Sequence, residues 1–195
     1  MIKFDATKLA AVAIAQSNEE TRYYLKGVYF EGDIAVATDG NILTASQDTE
    51  SINDAPGIYP ISKKAHAAMK KRGALCVVIQ DDVLTVLDDQ ENTTHMEPCK
   101  PIDGTFPDWK QVIPKEIGVP NESAFSAIVM GKLISTAVTL SGNKSAVLRI
   151  TGTGANAAQT VSYAQSDTIS VAMPCRNAIV PNLPVWALAE VSKAA

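Results

Sequence analysis

Residues 24–46 have the sequence YLKGVYFEGDIAVATDGNILTAS, which contains three short runs rich in β-branched, aromatic and small apolar residues. The runs are residues 24–31, 34–38 and 42–46. Gly32 and Asp33 separate the first two runs, and Asp39 and Gly40 separate the second from the third. Because these residues tolerate positive φ, they favour tight hairpin turns. The stretch is therefore predicted to be an antiparallel meander of three strands.

A short helix is predicted ahead of this meander, at residues 5–16. Leu9, Val12 and Ala13 recur on one helical stripe, and Asp5 is a suitable N-cap. The same order of helix and meander occurs twice more. The second unit is predicted as a strand at residues 57–61, a helix at 62–73, and strands at 75–80, 83–87 and 93–97. The third unit is predicted as a strand at residues 124–129, a helix at 132–140, and strands at 146–151, 159–163 and 168–173.

Three units with a period of about 45 to 55 residues indicate repeated supersecondary structure, in which each unit buries its apolar face against another. Five prolines between residues 98 and 120 interrupt this pattern. Proline removes a backbone donor and breaks helices and central strands, so the segment is predicted to be an extended linker. Residues 177–195 add an apolar tail after the third unit.

Composition excludes several classes of protein. The 195 residues include 17 Lys plus Arg against 21 Asp plus Glu, so the chain has a net charge of −4 and no overall basic field for nucleic acid. No apolar run of about 18 residues is long enough to cross a bilayer, and the start MIKFDATK is unlike a signal peptide, which favours a cytoplasmic location. Three cysteines without a CxxC motif and two histidines favour reduced thiols and predict neither a metal nor a cofactor.

One glycine motif suggests nucleotide chemistry. Residues 152–157, GTGANA, fit the GxGxxA form of the dinucleotide-binding fingerprint. That fingerprint needs a helix after the glycines, whereas the following residues alternate like a strand. A hairpin turn is therefore the favoured interpretation, and a small nucleotide-dependent enzyme is the least supported one.

The remaining candidates for catalysis are also better explained as structure. Asp81 with Asp82, and Asp88 next to Asp89, offer paired carboxylates, but both pairs lie in predicted hairpin turns, where Asp is favoured. His66 and His95 lack a nearby nucleophile motif and are expected at the surface. The chain is not expected to be an enzyme.

The second predicted helix has a concentration of positive charge. Residues 62–73 carry five basic side chains and no acidic one. These are Lys63, Lys64, Lys70, Lys71 and Arg72. Such a face suits phosphate binding, although an ordinary solvated helix face is the alternative.

Three short strings resemble one known family. The first is RYYLKG at residues 22–27, followed by FE at residues 30–31 and VATDG at residues 36–40. The second is FPDW at residues 106–109, followed by VIP at residues 112–114. The third is VAMPCR at residues 171–176. The strings resemble the middle domain, the following linker and the extreme C-terminus of the bacterial DNA polymerase III beta subunit, the sliding clamp. They occur in the family's order around the same helix-and-meander units.

The resemblance implies an α+β protein with the DNA clamp (processivity) fold, built from three helix-plus-β-meander repeats that amount to one and a half clamp domains. Residues 1–100 are similar to the complete middle domain, residues 101–120 to the Pro-rich linker, and residues 121–176 to the final half of the last domain. Residues 177–195 lie outside the resemblance. A clamp shortened in this way is similar to a phage or prophage protein.

The family's function implies a DNA sliding clamp, a processivity factor without catalysis that encircles duplex DNA and tethers a DNA polymerase. Family rings contain twelve such units, so four chains, a homo-tetramer joined head to tail, are expected. Double-stranded DNA, a polymerase and other proteins with clamp-binding motifs are the expected partners, and a clamp loader is a candidate partner. The alternative is a non-encircling clamp mimic that binds replication proteins through the peptide pocket.

The resemblance also assigns site residues. It implies that Arg22, Tyr23 and Tyr24 contact DNA, in addition to the five basic side chains of the second helix. The alternative is that both tyrosines pack under the first helix. Eleven positions match the family's peptide-binding pocket, the alternative being plain core. They are Leu25, Thr38, Gly40, Asn41, Ile42, Leu43, Pro107, Gln111, Val112, Val171 and Met173.

The pocket departs from the family pattern in two places. Asn41 and Ile42 stand where the family usually has His-Arg, and Gln111 stands where an Arg is common, which would alter the fitting peptide. In the tail, residues 182–188 form an apolar peptide, NLPVWAL, suited to such a pocket. Docking of this peptide is a weaker hypothesis than a helix packed on the third unit.

Overall fold

The computed structural model of the protein describes residues 1–114 and 123–175. Within these ranges the order of helices and meanders expected from the sequence is present three times. The first unit contains β1 (Ile2–Asp5), α1 (Ala6–Ala13), β2 (Val28–Glu31), β3 (Ile34–Thr38), β4 (Ile42–Gln47) and the short β5 (Ile52–Asn53). The second contains β6 (Gly57–Tyr59), α2 (Lys63–Met69), β7 (Ala74–Gln80), β8 (Val83–Asp88) and β9 (Thr93–Pro98). The third contains α3 (Ala127–Ser141), β10 (Leu148–Thr151), β11 (Gln159–Tyr163) and β12 (Thr168–Ala172).

The helix boundaries differ from the predicted ones in three places. Asp5 caps α1 as expected, accepting the Lys8 amide at 2.7 Å, but α1 ends at Ala13 instead of residue 16. Helix α2 ends at Met69, so part of the basic cluster lies in the turn that follows it. The predicted strand at residues 124–129 is wrong, because Ser126 caps the Val129 amide and α3 begins at Ala127.

All strand pairs are antiparallel, and the strands form two sheets. The order is β5-β1-β7-β8-β9 in the five-stranded sheet and β10-β11-β12-β4-β3-β2-β6 in the seven-stranded sheet. The first two units exchange strands, since β1 pairs with β7 of the second unit and β6 pairs with β2 of the first. Each sheet therefore contains strands from both units.

Helix α1 lies at the centre of the helical layer, in contact with α2 and α3. Six of its eight residues are buried, including Leu9 and Val12. The apolar core lies between the helices and the sheets, where Phe30 makes edge contacts with Phe4 and Tyr59 at ring-centroid distances of 5.8 and 5.9 Å. A second apolar cluster covers the opposite face of the seven-stranded sheet.

The third unit joins the first through β12, which pairs with β4 along its length. Two pairs of buried hydroxyls cross this junction on the helix side: Thr44 Oγ1 lies 2.7 Å from Ser170 Oγ, and Ser46 Oγ lies 2.8 Å from Thr168 Oγ1. Buried hydroxyls are stable only when partnered, so these pairs favour one register of β4 against β12. The third unit is thereby held in a fixed position on the first.

The turn assignments of the candidate catalytic motifs are confirmed. Residues 152–157 connect two strands of one hairpin, β10 and β11, and the Gln159 side chain donates to Gly154 O at 2.9 Å and Ala157 O at 2.7 Å. Asp81 and Asp82 form the β7–β8 turn with φ of 52° and 62°. Asp88 lies where β8 ends and accepts the Gln90 and Asn92 amides.

The histidines are less exposed than expected. His66 donates from Nε2 to Ala10 O at 3.0 Å, and its burial between α2 and α1 lowers its pKa. His95 Nε2 lies 2.9 Å from Glu97 Oε2, so it too is engaged within the fold. In the two described ranges no cluster of side chains suited to a metal ion is found, and no helix is long and apolar enough to cross a membrane. Residues 177–195, with the docking hypothesis for residues 182–188, lie outside the described residues.

Candidate functional site

A cavity of about 250 Å³ lies where the first unit, the linker and the third unit meet. Ten of the eleven residues expected in the pocket line it. They are Leu25, Thr38, Gly40, Asn41, Ile42, Leu43, Pro107, Val112, Val171 and Met173. The eleventh, Gln111, instead donates from Nε2 to Asp108 Oδ2 at 2.7 Å. The structure therefore brings together side chains that are up to 148 positions apart, from Leu25 to Met173.

The floor of the cavity is apolar. Leu25, Leu43 and Val171 are each at most 5% exposed and belong to the apolar cluster on the face of the sheet opposite the helices. Val112 is 47% exposed and lies at the opening. An apolar floor with a partly solvated rim suits the burial of one or two apolar side chains of a ligand.

The turn between β3 and β4 forms one wall and is rigidly bonded. Asp39 Oδ1 accepts the amides of Asn41 and Ile42 at 2.8 and 3.0 Å. Thr38 Oγ1 accepts the Gly40 amide at 3.1 Å and donates to Ile42 O at 2.8 Å. These bonds fix the backbone groups at the rim before any ligand arrives.

Asp39 also links this wall to the third unit. Its Oδ2 lies 2.7 Å from Lys132 Nζ on α3, and the two side chains are 14% and 20% exposed. Burial opposes ionisation of Asp39, but the hydrogen bonds from Lys132 and from two backbone amides outweigh it and lower the pKa of the carboxyl. The ion pair therefore holds α3 and the pocket wall in one arrangement.

Gly40 adopts φ of +91°, a left-handed conformation that favours glycine. A Cβ at this position would lie 2.8 Å from an Nη atom of Arg22, whose side chain crosses the rim. Arg22 is half-exposed and lies 3.8 Å from Glu19. The guanidinium is thus a positive group at the opening of the cavity, which Asp108 also lines.

The linker is packed against the sheet in its described part, residues 101–114, instead of being a free extended spacer. Phe106 stacks on Tyr29 at a ring-centroid distance of 5.0 Å. Trp109 is 6% exposed and donates from Nε1 to Glu31 Oε2 at 3.2 Å, in a 3₁₀ turn that Asp108 caps. The linker thereby supplies one wall of the cavity, and residues 115–122 of the predicted linker lie outside the described residues.

Three side chains of the linker that the sequence did not assign to the pocket also line it, namely Phe106, Asp108 and Trp109. The signal available for them was two aromatic residues in an otherwise polar, proline-rich segment. Met173, at the end of the third unit, closes the other side, because its amide donates to Asn41 O at 2.9 Å.

The five basic side chains of the second unit are all exposed. Lys70 and Lys71 follow the end of α2 and line a cleft of about 470 Å³ between the C-terminal ends of α2 and α3. No ion pair joins any of the five to an acidic side chain within residues 1–114 and 123–175. Their charge is therefore available to a phosphate-bearing partner.

Two of the other DNA-contact candidates, Arg22 and Tyr24, line the cavity. Tyr23 is 53% exposed and makes an edge contact with Tyr24 at 5.8 Å between ring centroids. Tyr24 contacts the linker, since its Cβ lies 3.0 Å from the position that a Cβ on Gly104 would take. The three residues thus form a continuous surface between the cavity rim and solvent.

No protein-family model and no curated protein sequence matches this chain. Its structure is similar to that of solved bacterial sliding clamps. A DNA polymerase sliding clamp from Pseudomonas aeruginosa, crystallised with a ligand, matches with a TM-score of 0.62 and 16% identity over 89% of this chain and 65% of the clamp. The clamp from Bacillus subtilis matches with a TM-score of 0.59 and 16% identity over 91% and 64% of the two chains.

The sliding clamp from Bartonella birtlesii, a DNA polymerase III beta subunit bound to griselimycin, matches with a TM-score of 0.59 and 17% identity over 89% and 65% of the chains. This chain thus spans about 65% of the length of the solved clamps it matches. At such identities the likeness concerns the arrangement of the backbone. The chain has the α+β fold of the bacterial DNA sliding clamps.

Proposed function

We propose that this protein is a DNA sliding clamp, a processivity factor that encircles duplex DNA as a homo-oligomer and tethers a DNA polymerase. The observation that carries the proposal is the cavity at the junction of the first and third units, where ten residues expected from the resemblance lie together. The protein would have no catalytic role. It would act by keeping the polymerase close to the template, which makes rebinding effectively intramolecular.

The cavity suits a short peptide segment of the polymerase. Leu25, Leu43 and Val171 offer apolar area, while the Arg22 guanidinium at the rim favours a carboxylate or a backbone carbonyl on the peptide. The exposed Asn41 stands at this rim, while Ile42 is 1% exposed and belongs to the core on the helix side of the sheet. The rim is thus less basic than the family's usual His-Arg, and we expect a weaker preference for an acidic peptide group at that position.

The exposed basic cluster after Ser62 would contact the phosphates of DNA. Lysine and arginine contacts to phosphate carry no base sequence information, so they let a ring slide along the duplex. The contacts weaken with salt, whereas a closed ring stays linked to the DNA topologically. Lys70 and Lys71, on the cleft between helices, are the first candidates for such contacts.

A second candidate function is a clamp mimic that binds replication proteins through the cavity without encircling DNA. The observation in its favour is the charge of α3. Residues 127–141 contain one charged residue, Lys132, which is paired with Asp39. Helix α3 therefore offers much less to phosphates than the basic residues 63–72 of the second unit do.

A retention assay distinguishes the two functions without a loader. The protein is added to linear duplex DNA with one blocked end, the second end is then blocked, and retention is measured in high salt before and after the DNA is cut. A ring stays on the doubly blocked DNA and leaves after cutting. Loss of the protein from doubly blocked DNA in high salt contradicts the encircling function and supports the mimic.

Griselimycin, the ligand of the Bartonella birtlesii clamp, is a probe for the cavity. We expect isothermal titration to show binding that Val112→Asp abolishes, because a carboxylate at the opening opposes burial of an apolar ligand. Leu75→Asp is the matched control, since Leu75 is 50% exposed on β7 of the other sheet and Val112 is 47% exposed. Absence of binding to the unchanged protein, or equal effects of both substitutions, contradicts the assignment of the cavity.

A further inference from the structure

A second cavity lies among the helices, where all three units meet. It has a volume of about 220 Å³ and lies between the end of α1, the start of α2 and one side of α3. Each unit contributes one lysine to the lining of this lysine cavity, namely Lys26 from the first, Lys63 from the second and Lys132 from the third. No acidic residue lines it among the residues that the structure describes. A cavity lined by charge of one sign attracts ions of the opposite sign.

The positive charge of this lining is only partly neutralised. Neither Lys26 nor Lys63 pairs with a carboxylate within residues 1–114 and 123–175. Lys132 Nζ lies 2.7 Å from Asp39 Oδ2 and 3.4 Å from Gln16 O. These contacts engage two protons of its ammonium and leave the third free. The unpaired charges of Lys26 and Lys63, with this free proton, are therefore available to a ligand.

Two polar residues of the lining add no charge to the lysine cavity. Burial lowers the pKa of His66, so its ring is neutral at neutral pH. Ser62 Oγ donates to Glu97 Oε2 at 2.9 Å, but Glu97 itself lies outside the lining. The charge of the cavity therefore comes from its lysines.

Hydrogen bonds within the fold hold the walls of the lysine cavity in place. Gln16 joins the first unit to the second, because its Nε2 donates to Ile61 O at 3.2 Å and its Oε1 accepts the Ile61 amide at 3.1 Å. The Ser17 amide donates to Leu25 O at 2.9 Å, which places Lys26 next to this wall. A site that is formed before its ligand arrives costs less ordering entropy on binding.

The donors of the lysine cavity suit a phosphate group. Ammonium groups from three separate segments require a ligand with several acceptor oxygens, and lysine is a common phosphate ligand in proteins. We propose that the lysine cavity binds a phosphate group, to which Lys26, Lys63 and the free proton of Lys132 donate. The phosphate belongs either to the backbone of duplex DNA or to a free phosphate compound.

This site is distinct from the contacts proposed above. The cleft at Lys70 and Lys71 lies between the C-terminal ends of α2 and α3, whereas the lysine cavity lies at the start of α2. Lys132 also bonds to Asp39 in the wall of the peptide pocket, so the phosphate and that wall would share one ammonium. Phosphate binding requires neither a ring nor a polymerase, so it stands or falls separately from the proposed function.

Titration of the protein with pyrophosphate at low ionic strength tests the site. Lys26→Met and Lys63→Met each remove one charge, and we expect each to weaken pyrophosphate binding at least about fivefold. Pyrophosphate should also raise the midpoint of thermal unfolding of the unchanged protein, but not that of the double variant. Lys144→Met is the matched control, because Lys144 is exposed, lies outside the lining and has no ion pair in the described ranges. It should leave pyrophosphate binding unchanged.

Three results of this titration would overturn the proposal. The first is that pyrophosphate does not bind the unchanged protein, or still binds the double variant with the same affinity. The second is equal weakening by Lys144→Met, because net charge alone would then control binding. The third is loss of binding in Lys70→Met with none in Lys26→Met, because the cleft between the C-terminal ends of α2 and α3 would then be the site.

Binding of a short DNA duplex across a salt series identifies the source of the phosphate. If the DNA backbone enters the lysine cavity, Lys26→Met should reduce the slope of log K against log salt concentration by about one. An unchanged slope, with pyrophosphate binding weakened, assigns the cavity to a free phosphate compound. A duplex that does not bind the unchanged protein contradicts the proposed function, and the pyrophosphate titration still decides on the cavity.

Discussion

Replacement of Lys132 by methionine should destabilise the protein and loosen the pocket. The change removes the 2.7 Å ion pair with Asp39 but keeps an unbranched apolar side chain, one atom shorter than that of lysine. Removing one partner of a buried ion pair typically costs about 3–5 kcal/mol. Asp39 keeps two backbone hydrogen bonds and is 14% exposed, which reduces the cost of leaving its charge unpaired. We therefore expect the free energy of unfolding to fall by about 2–3 kcal/mol, less than the typical loss.

Urea denaturation at neutral pH measures this loss, and Lys110→Met is the matched control. Lys110 makes an ion pair of 2.9 Å with Glu31, but the side chains are 59% and 42% exposed. Solvent screens such a pair, so its removal should leave the denaturation midpoint almost unchanged. Equal effects of the two substitutions would refute the reasoning from burial.

The pH dependence gives a second check. Because the pKa of Asp39 is lowered in the folded protein, its carboxylate stabilises the fold at neutral pH, and this contribution is lost as the pH falls through the lowered pKa. The difference between Lys132→Met and the unchanged protein should therefore be constant near neutral pH and shrink in acid. A difference that grows in acid contradicts the role assigned to this pair.

Five further substitutions at three places test the pocket and the junction by thermal unfolding and griselimycin titration. Gly40→Ala and Gly32→Ala should each lower the free energy of unfolding by about 1–2 kcal/mol, because both glycines have positive φ. Only Gly40→Ala should weaken griselimycin binding, because its Cβ would clash with the Arg22 guanidinium at the rim. Trp109→Ala should cost about 3–5 kcal/mol and abolish binding, because the buried ring forms a wall of the cavity. Ser46→Ala and Thr168→Val should each lower the free energy of unfolding by about 1–3 kcal/mol, because each leaves one buried hydroxyl without its partner. The double variant should lose less than the sum of the two, because it removes both hydroxyls and leaves neither unpaired.

Each of these expectations has a clear contrary result. Equal loss of griselimycin binding in the two glycine variants would mean that backbone strain alone, without the clash, controls the pocket. Binding that survives Trp109→Ala would show that the linker is not a wall of the site. Additive effects at the two hydroxyls would mean that the 2.8 Å contact contributes no coupling across the junction.

The sequence predicted the hairpins well because their turns are encoded locally. Asp81 and Asp82 tolerate the positive φ that the β7–β8 turn requires, and Gly142 ends α3 in a left-handed conformation as a C-terminal glycine should. The strand β1 escaped prediction, because it has four residues and is stabilised by pairing with β7, about 70 positions later. Local patterns carry no information on such a pairing.

The start of α3 was missed for a related reason. Ile128 and Val129 are β-branched and favour a strand locally, but burial of Val129 and the cap from Ser126 outweigh that preference. Similarly, the sequence pattern identified most of the pocket through its resemblance to a family, yet gave no reason to pair Lys132 with Asp39, 93 positions away. Tertiary contacts decide both features.

The three units meet by two kinds of contact. The first two units meet by strand exchange within a domain, whereas the first and third meet by edge pairing of β4 with β12, each the third strand of its meander. Among the described residues, one sheet ends at β9, also the third strand of a meander, and the other ends at β10, the first strand of the third unit's meander. The two ends differ in kind, so the head-to-tail contact expected from the sequence would join unlike surfaces.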